Sequence, residues 1–288
     1  MRLGPFDTSE IKVRGGGGGG GGRAAGGLGC GTIVIALIAA VAFGVDPMQT
    51  IGMIEGVQQQ MPAQTTQANI SEEELCSSSA YAAEACAALA SLNRTWEPVF
   101  ARSNARFEQP ELVLYPSGPV ATNGCGNASS AAGPFYCPAD LGIYLDTTFF
   151  DQLARMSGAR GNFARLYVIG HEYGHHIQNL TGINRQIREA QRANPQAANR
   201  MQVAMELQAD CLAGVWAGKN RDLLEPGDLE AGMQAASSIG DDTLSQGSGR
   251  RINPENFTHG TSQQRMEALR RGLTSANMAE CNVYLQSI

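Results

Sequence analysis

Five residues, His171-Glu172-Tyr173-Gly174-His175, set the tightest condition on how this chain can fold. They follow an apolar approach, Phe163-Ala164-Arg165-Leu166-Tyr167-Val168-Ile169, which reads as a buried helix. On that helix His171 and His175 lie one turn apart and face the same way, with Glu172 beside them. Two imidazoles at this spacing can bind one Zn²⁺ at about 2.0–2.1 Å each, and Glu172 is placed to act as a general base. The five-residue pattern also arises by chance, as two exposed helical histidines around a surface glutamate. Against that, three of the chain's four histidines fall within six residues.

A catalytic zinc centre needs three protein ligands and one open position. The best source of the third ligand is Glu206-Leu207-Gln208-Ala209-Asp210. Glu206 and Asp210 share a helix face. Met201, Val203, Met205, Leu212 and Val215 give that helix an apolar stripe, so it packs inside and its carboxylates need buried partners. Zinc would partner Glu206. Asp210 would accept the free ring N–H of a ligand histidine and fix its tautomer. His259, just before the last helix, is placed to donate to the oxyanion of a hydrolytic reaction, to cap the helix, or to face solvent. His176 points about 100° away from His175 and reads as a packing or hydrogen-bonding residue. Tyr136, Tyr144, Tyr167 and Tyr173 are further candidates for stabilising a transition state. The strand around Leu141 to Asp146 is a candidate edge on which an extended peptide could add.

The first 27 residues form a short basic head that includes eight consecutive glycines, Gly15 to Gly22. Such a segment predicts a flexible tail. Residues 28–45 carry no charge and would span about 27 Å as a helix, enough to cross a bilayer. Basic residues precede this run and Asp46 follows it, which predicts a cytoplasmic N-terminus and an exported remainder. Ala40-Val41-Ala42 also has the form of a signal-peptidase site, so cleavage stays open beside an uncleaved anchor; both readings export the domain. Residues 46–70, rich in Gln, Thr, Met and Ala, read as a linker, and 71–288 as one domain.

The net charge is −6, and the first 45 residues carry an excess of positive charge, so the rest is more acidic still. That balance argues against nucleic acid as the partner. Seven cysteines leave one without an intramolecular partner, and Cys30, at the start of the apolar run, is the odd one by position. The other six fall into neighbours: Cys76 with Cys86, Cys125 with Cys137, and Cys211 with Cys281. Paired cysteines imply an oxidising compartment. Cys76 and Cys86 would lie about 15 Å apart on one straight helix, so a bond there requires a turn at Ser77-Ser78-Ser79.

Helices are predicted over Glu73–Leu92, Trp96–Asn104, Thr148–Met156, Asn162–Leu180, Ile187–Ala193, Ala197–Gly218 and Thr261–Gly272. Strands are predicted at Glu111–Tyr115 and Leu141–Leu145, with residues 116–140 as loop. The fold class is α+β: mostly helical, with a small sheet early in the domain.

These residues resemble a known family, the putative neutral zinc metallopeptidases, membrane-anchored bacterial proteins of the YpfJ-like group. The resembling stretches are Gly133-Pro134-Phe135-Tyr136-Cys137-Pro138-Ala139-Asp140, Tyr144-Leu145-Asp146, Phe149-Phe150 and His171 through Gln178. Further on they are Glu206-Leu207-Gln208-Ala209-Asp210-Cys211, Gly214-Val215-Trp216-Ala217, His259-Gly260-Thr261 and Gln264-Arg265. The resemblance implies a gluzincin-like, zincin-type domain behind one transmembrane helix. It implies His171, His175 and Glu206 as ligands of Zn²⁺ and Glu172 as base, acting on a peptide or protein. The pair Cys76/Cys86 departs from the family pattern. Two other readings remain open: a membrane-anchored scaffold or chaperone with structural zinc, using His176 or His259 as a fourth ligand, and a zinc amidase acting on a cell-wall component.

Overall fold

The structure, a computed structural model, describes residues 1–16, 70–130, 133–247 and 253–286. It is α+β and mostly helical. Six strands are present among the described residues: β1 (Lys12–Gly15), β2 (Glu111–Tyr115), β3 (Pro119–Ala121), β4 (Asn127–Ser129), β5 (Phe135–Cys137) and β6 (Gly142–Asp146). The main sheet has the order β1-β2-β6-β5, and β3 and β4 form a separate hairpin. β1, β2 and β6 run parallel, and β5 runs antiparallel to β6 with Phe135 opposite Tyr144.

Two expectations are corrected here. The candidate peptide edge at Leu141–Asp146 is β6, which lies inside the sheet between β2 and β5; the edge belongs to β5. Residues 116–140 are not all loop, because β3, β4 and β5 fall within them. Each is only three residues long. Strands that short give no readable alternation, and the Gly, Ser and Asn around them suggest only turns. Cys125–Cys137 ties the loop after β3 to the end of β5.

The reading of residues 1–27 as a tail fails for residues 1–16. Ile11 and Val13 are buried in the main core, and Leu3 and Phe6 pack against it. β1 pairs with β2 from Lys12↔Glu111 to Gly15↔Leu114. The glycine run dominated the composition, but the apolar residues ahead of it alternate with polar ones and supply a strand. The apolar stretch at 28–45 and the linker at 46–70, Ile70 excepted, lie outside the described residues. Among the described residues no helix is long and apolar enough to cross a membrane.

Nine helices occur among the described residues: α1 (Glu72–Ser77), α2 (Ala80–Arg102), α3 (Phe149–Ser157), α4 (Phe163–Leu180), α5 (Ile183–Ala193), α6 (Ala198–Lys219), α7 (Asp228–Ser238), α8 (Asp241–Gly247) and α9 (Ser262–Ser275). α1 stops at Ser77, and Ser79 caps α2 by accepting from the Ala82 N–H. That turn brings Cys76 and Cys86 together as a disulfide, with Cα atoms 5.9 Å apart. The two helices expected over 73–104 are not divided as predicted. α2 runs unbroken through Pro98, because Trp96 and Phe100 on either side of it are both buried in the core. Tertiary burial here outweighs the one backbone hydrogen bond that proline removes.

α6 is the central helix, packed against α4 on one side and α9 on another. Nearly every residue from Met201 to Ala217 is buried, so the helix has no solvent face. Small residues set the spacing. A Cβ on Gly174 of α4 would meet the Ala209 carbonyl oxygen at 2.8 Å, and one on Gly272 of α9 would press into the Cys211 carbonyl. Cys211–Cys281 then fastens α6 to the C-terminal 3-10 turn, Met278–Leu285. α4 leans on α2 from the other side, where the Tyr173 hydroxyl donates to Asn93 Oδ1 at 2.8 Å.

Candidate metal centre

Because α4 and α6 approach so closely at Gly174, side chains on their facing surfaces meet across the gap. His171 Nε2 lies 3.1 Å and His175 Nε2 3.6 Å from the same atom, Glu206 Oε2. Ligand atoms of all three residues lie within 4.8 Å of one another. Four ligands at 2.0–2.1 Å around a tetrahedral ion are separated by about 3.3 Å, and the two measured separations fall on either side of that value. The donor set therefore fits zinc without rearrangement of the helices.

The hydrogen bonds behind these atoms fix which ring nitrogen faces inward. Asp210 Oδ1 lies 2.7 Å from His171 Nδ1. Gln178 Oε1 lies 2.8 Å from His175 Nδ1. A carboxylate and an amide oxygen can only accept, so both Nδ1 atoms carry a proton, and each Nε2, the nitrogen left to bind a metal, faces Glu206. The Gln178 amide is oriented in turn by donating to the Met205 carbonyl at 2.7 Å and to Gln208 Oε1 at 3.0 Å. The second oxygen of Glu206 accepts from Gln202 Nε2 at 2.7 Å, which leaves Oε2 for the histidines.

Asp210 is held as an anion. Arg265 of α9, fully buried, forks onto it with Nε to Oδ2 and Nη2 to Oδ1, both at 2.9 Å. Tyr167 donates its hydroxyl to the same Oδ1 at 2.6 Å. Burial works against the charge, but the guanidinium and His171 outweigh it and keep the Asp210 pKa below the ordinary carboxylate range. Burial likewise opposes charge on His171, yet Asp210 and Glu206 draw a proton to it and raise its pKa to about 10. Glu206 is pushed the other way by the two histidines, well below its usual value in spite of burial. The same pull that gathers protons here would hold a dication.

Glu172 is buried next to the cluster and has no hydrogen-bond partner among the described residues. Burial raises its pKa, and the neighbouring histidines moderate the rise. His259 stands at the mouth of the last helix. Asp241 accepts from His259 Nδ1 at 3.2 Å, and its other oxygen accepts from the backbone N–H groups of Thr258, His259 and Gly260. His259 is close enough to Glu206 to help hold it ionised.

His176 lies apart from the cluster, as its direction on the helix predicts. Its Nε2 is 2.7 Å from the Glu108 carbonyl and therefore donates, so Nδ1 accepts the Tyr136 hydroxyl at 3.0 Å. It pins β5 to α4, and it is not available as a fourth ligand. Among the tyrosines, Tyr144 is committed to Asp140 and Tyr173 to Asn93, and only Tyr167 touches the cluster, through Asp210 and Arg265. The sequence reading missed Gln178, Gln202, Asp241 and Arg265. Gln178 and Gln202 stand at i+3 and i−4 from a candidate ligand, and that spacing was the available signal; Gln178 and Arg265 also lie in stretches that carry the family resemblance, which gave them no role, and Asp241 has no signal.

The six-cysteine pairing predicted from sequence is present in full. Comparison with known proteins agrees with this picture. A family model described as putative neutral zinc metallopeptidase matches residues 7–284. The uncharacterized protein YpfJ of Escherichia coli K12 is 47% identical over 203 residues, covering 69% of this chain and 70% of YpfJ. The uncharacterized proteins Mb2605 of Mycobacterium bovis and Rv2575 of Mycobacterium tuberculosis are each 39% identical over 207 residues, covering 67% of both chains in either pairing. No solved structure matches the chain. The match across residues 7–284 makes this chain a member of the putative neutral zinc metallopeptidase family.

Proposed function

We propose that the chain is a zinc-dependent peptidase of the gluzincin type, with His171, His175 and Glu206 as ligands. The observation that carries this reading is the convergence of three ligand atoms from two buried helices, with both imidazole tautomers fixed from behind. Bound there, Zn²⁺ supplies Lewis-acid polarisation and acidifies a water molecule. The protein's own groups do the rest. Glu172, buried and free of competing donors, takes the proton of the attacking water and delivers it to the leaving amine. His259, oriented by Asp241, donates to the oxyanion that develops on the carbonyl.

A peptide or protein substrate is expected to lie extended along β5, the sheet edge that Tyr136 and His176 hold against α4. Three disulfides support an oxidising compartment outside the cytoplasm, and the uncharged run at 28–45 supports attachment to a membrane. A structural-zinc scaffold needs a fourth protein ligand, and the commitment of both His176 nitrogens counts against one of its two candidates.

The test is a pair of variants assayed for zinc content and for cleavage of casein and a peptide library. Glu172→Gln keeps its zinc and loses turnover by about 10²–10⁴. His171→Ala loses both. A Glu172→Gln protein that cleaves as fast as the wild type would falsify the mechanism. Cleavage of cell-wall amides, with peptides left intact, would replace peptidase by amidase.

A further inference from the structure

We infer that residues 1–16 and the domain formed by residues 70–286 lie on the same side of any membrane the chain meets. The inference stands apart from the metal reading, because it rests on the strand at the far flank of the sheet.

Residues 1–16 are built into the domain at several independent points. β1 is hydrogen-bonded to β2 along its length, and the Gly16 N–H continues the ladder to the Leu114 carbonyl at 2.6 Å. Arg14 bridges to Glu111 at 2.6 Å and donates to the Tyr144 hydroxyl at 3.0 Å, so it touches two further strands. Ahead of β1, the Glu10 carbonyl accepts from Asn93 of α2 at 3.1 Å, and the Glu10 carboxylate pairs with Arg94. Ile11 and Val13 are buried in the same core that holds Trp96 and Trp216. The exit from β1 and the return at α1 are also neighbours in space. The Val13 N–H lies 3.4 Å from Glu72 Oε1, and a Cβ on Gly15 would touch Leu75 at 3.6 Å.

Paired strands sit about 4.8 Å apart, whereas the hydrocarbon core of a bilayer is about 30 Å thick. A strand hydrogen-bonded into a sheet cannot be on the opposite face of that layer from its partner. A single crossing between residues 16 and 70 would put it there. Cleavage after Ala42 would detach it altogether. The cytoplasmic N-terminus and the cleaved signal peptide are thus both incompatible with β1 in its place, whatever path residues 17–69 take.

The test uses the full-length chain in its native membrane, with Cys30→Ser to remove the cysteine outside the three disulfides. One cysteine is introduced at Ser9, exposed just before β1, or at Glu230, exposed on α7. Each variant is treated with a membrane-impermeant maleimide before and after permeabilisation, and the size of the labelled chain is recorded. The expected result is that both positions react in the same condition, on a chain of full length. Labelling of one position only after permeabilisation and of the other before it overturns the inference. So does a mature chain that has lost residues 1–42.

Discussion

At the scale of single residues, the centre is held by side chains that never touch the metal position. Arg265 is the plainest case. Replacing it with methionine roughly keeps the volume but takes the buried guanidinium from Asp210, leaving only His171 and Tyr167 on it. The expected effect is a loss of about 3–5 kcal/mol in stability, read from urea unfolding. Zinc affinity is expected to fall by about 10–100-fold, read by chelator competition. Arg265→Lys restores charge without the fork and should recover only part of both. His176 makes a different prediction. Burial holds its pKa at about 4, against an ordinary 6.5, even though the Glu108 carbonyl pulls the other way. The unfolded chain therefore binds a proton that the folded chain refuses. Stability from this residue is complete above pH 6.5 and declines as pH falls towards 4, by up to about 3 kcal/mol. Urea midpoints measured between pH 7 and pH 4 should fall less steeply in His176→Gln than in the wild type.

The residues on the ligand helices were legible in the sequence because helical spacing alone puts them on one face. His171 and His175, and likewise Glu206 and Asp210, are each four apart, and the structure brings the two pairs together. Arg265 and Asp241 were not legible. Arg265 reaches Asp210 across 55 positions of sequence, and Asp241 reaches His259 across 18, through the packing of separate helices. No local pattern encodes such a meeting.

At the scale of elements, the decisive contact is the close approach of α4 and α6. Gly174→Ala puts a methyl group 2.8 Å from a backbone oxygen that cannot move without its helix. The overpacking is expected to cost about 1–3 kcal/mol and to pull Glu206 away from the imidazoles, so zinc content should drop along with the unfolding midpoint. The Cys211–Cys281 bond guards the other flank of α6. Its partners are 70 residues apart, and removing both by Cys→Ser is expected to lower stability by about 4 kcal/mol by chain-entropy reasoning. Equilibrium unfolding with the other two disulfides intact measures that loss. β1 aside, the elements that escaped prediction have too little apolar pattern. α7 is built from Ala, Gly and Ser around a few larger residues, and β3 to β5 are too short to alternate. α2 shows the converse, one continuous helix across residues 93–95, where a gap between two helices was expected.

At the scale of the whole molecule, the proposed ligands join two helices that also form the centre of the core. Metal binding and folding are then linked. Zinc at about 100 times its dissociation constant should raise the unfolding free energy by about 2.7 kcal/mol, and a chelator should lower the melting temperature correspondingly. Calorimetry with and without chelator measures this. If the unfolded chain bound zinc as tightly as the folded one, the shift would vanish.

The place of β1 also bears on the order in which the protein can be built. The ribosome releases Lys12 to Gly15 long before β2, their only hydrogen-bonded strand neighbour among the described residues. Until Glu111 to Tyr115 emerge, the first strand has nothing to pair with, and the second then closes a loop of nearly a hundred residues. Contacts so distant in sequence form slowly. The strand is thus made well ahead of its partner and seated late, so the nascent chain must be kept from sticking to its neighbours in the interval.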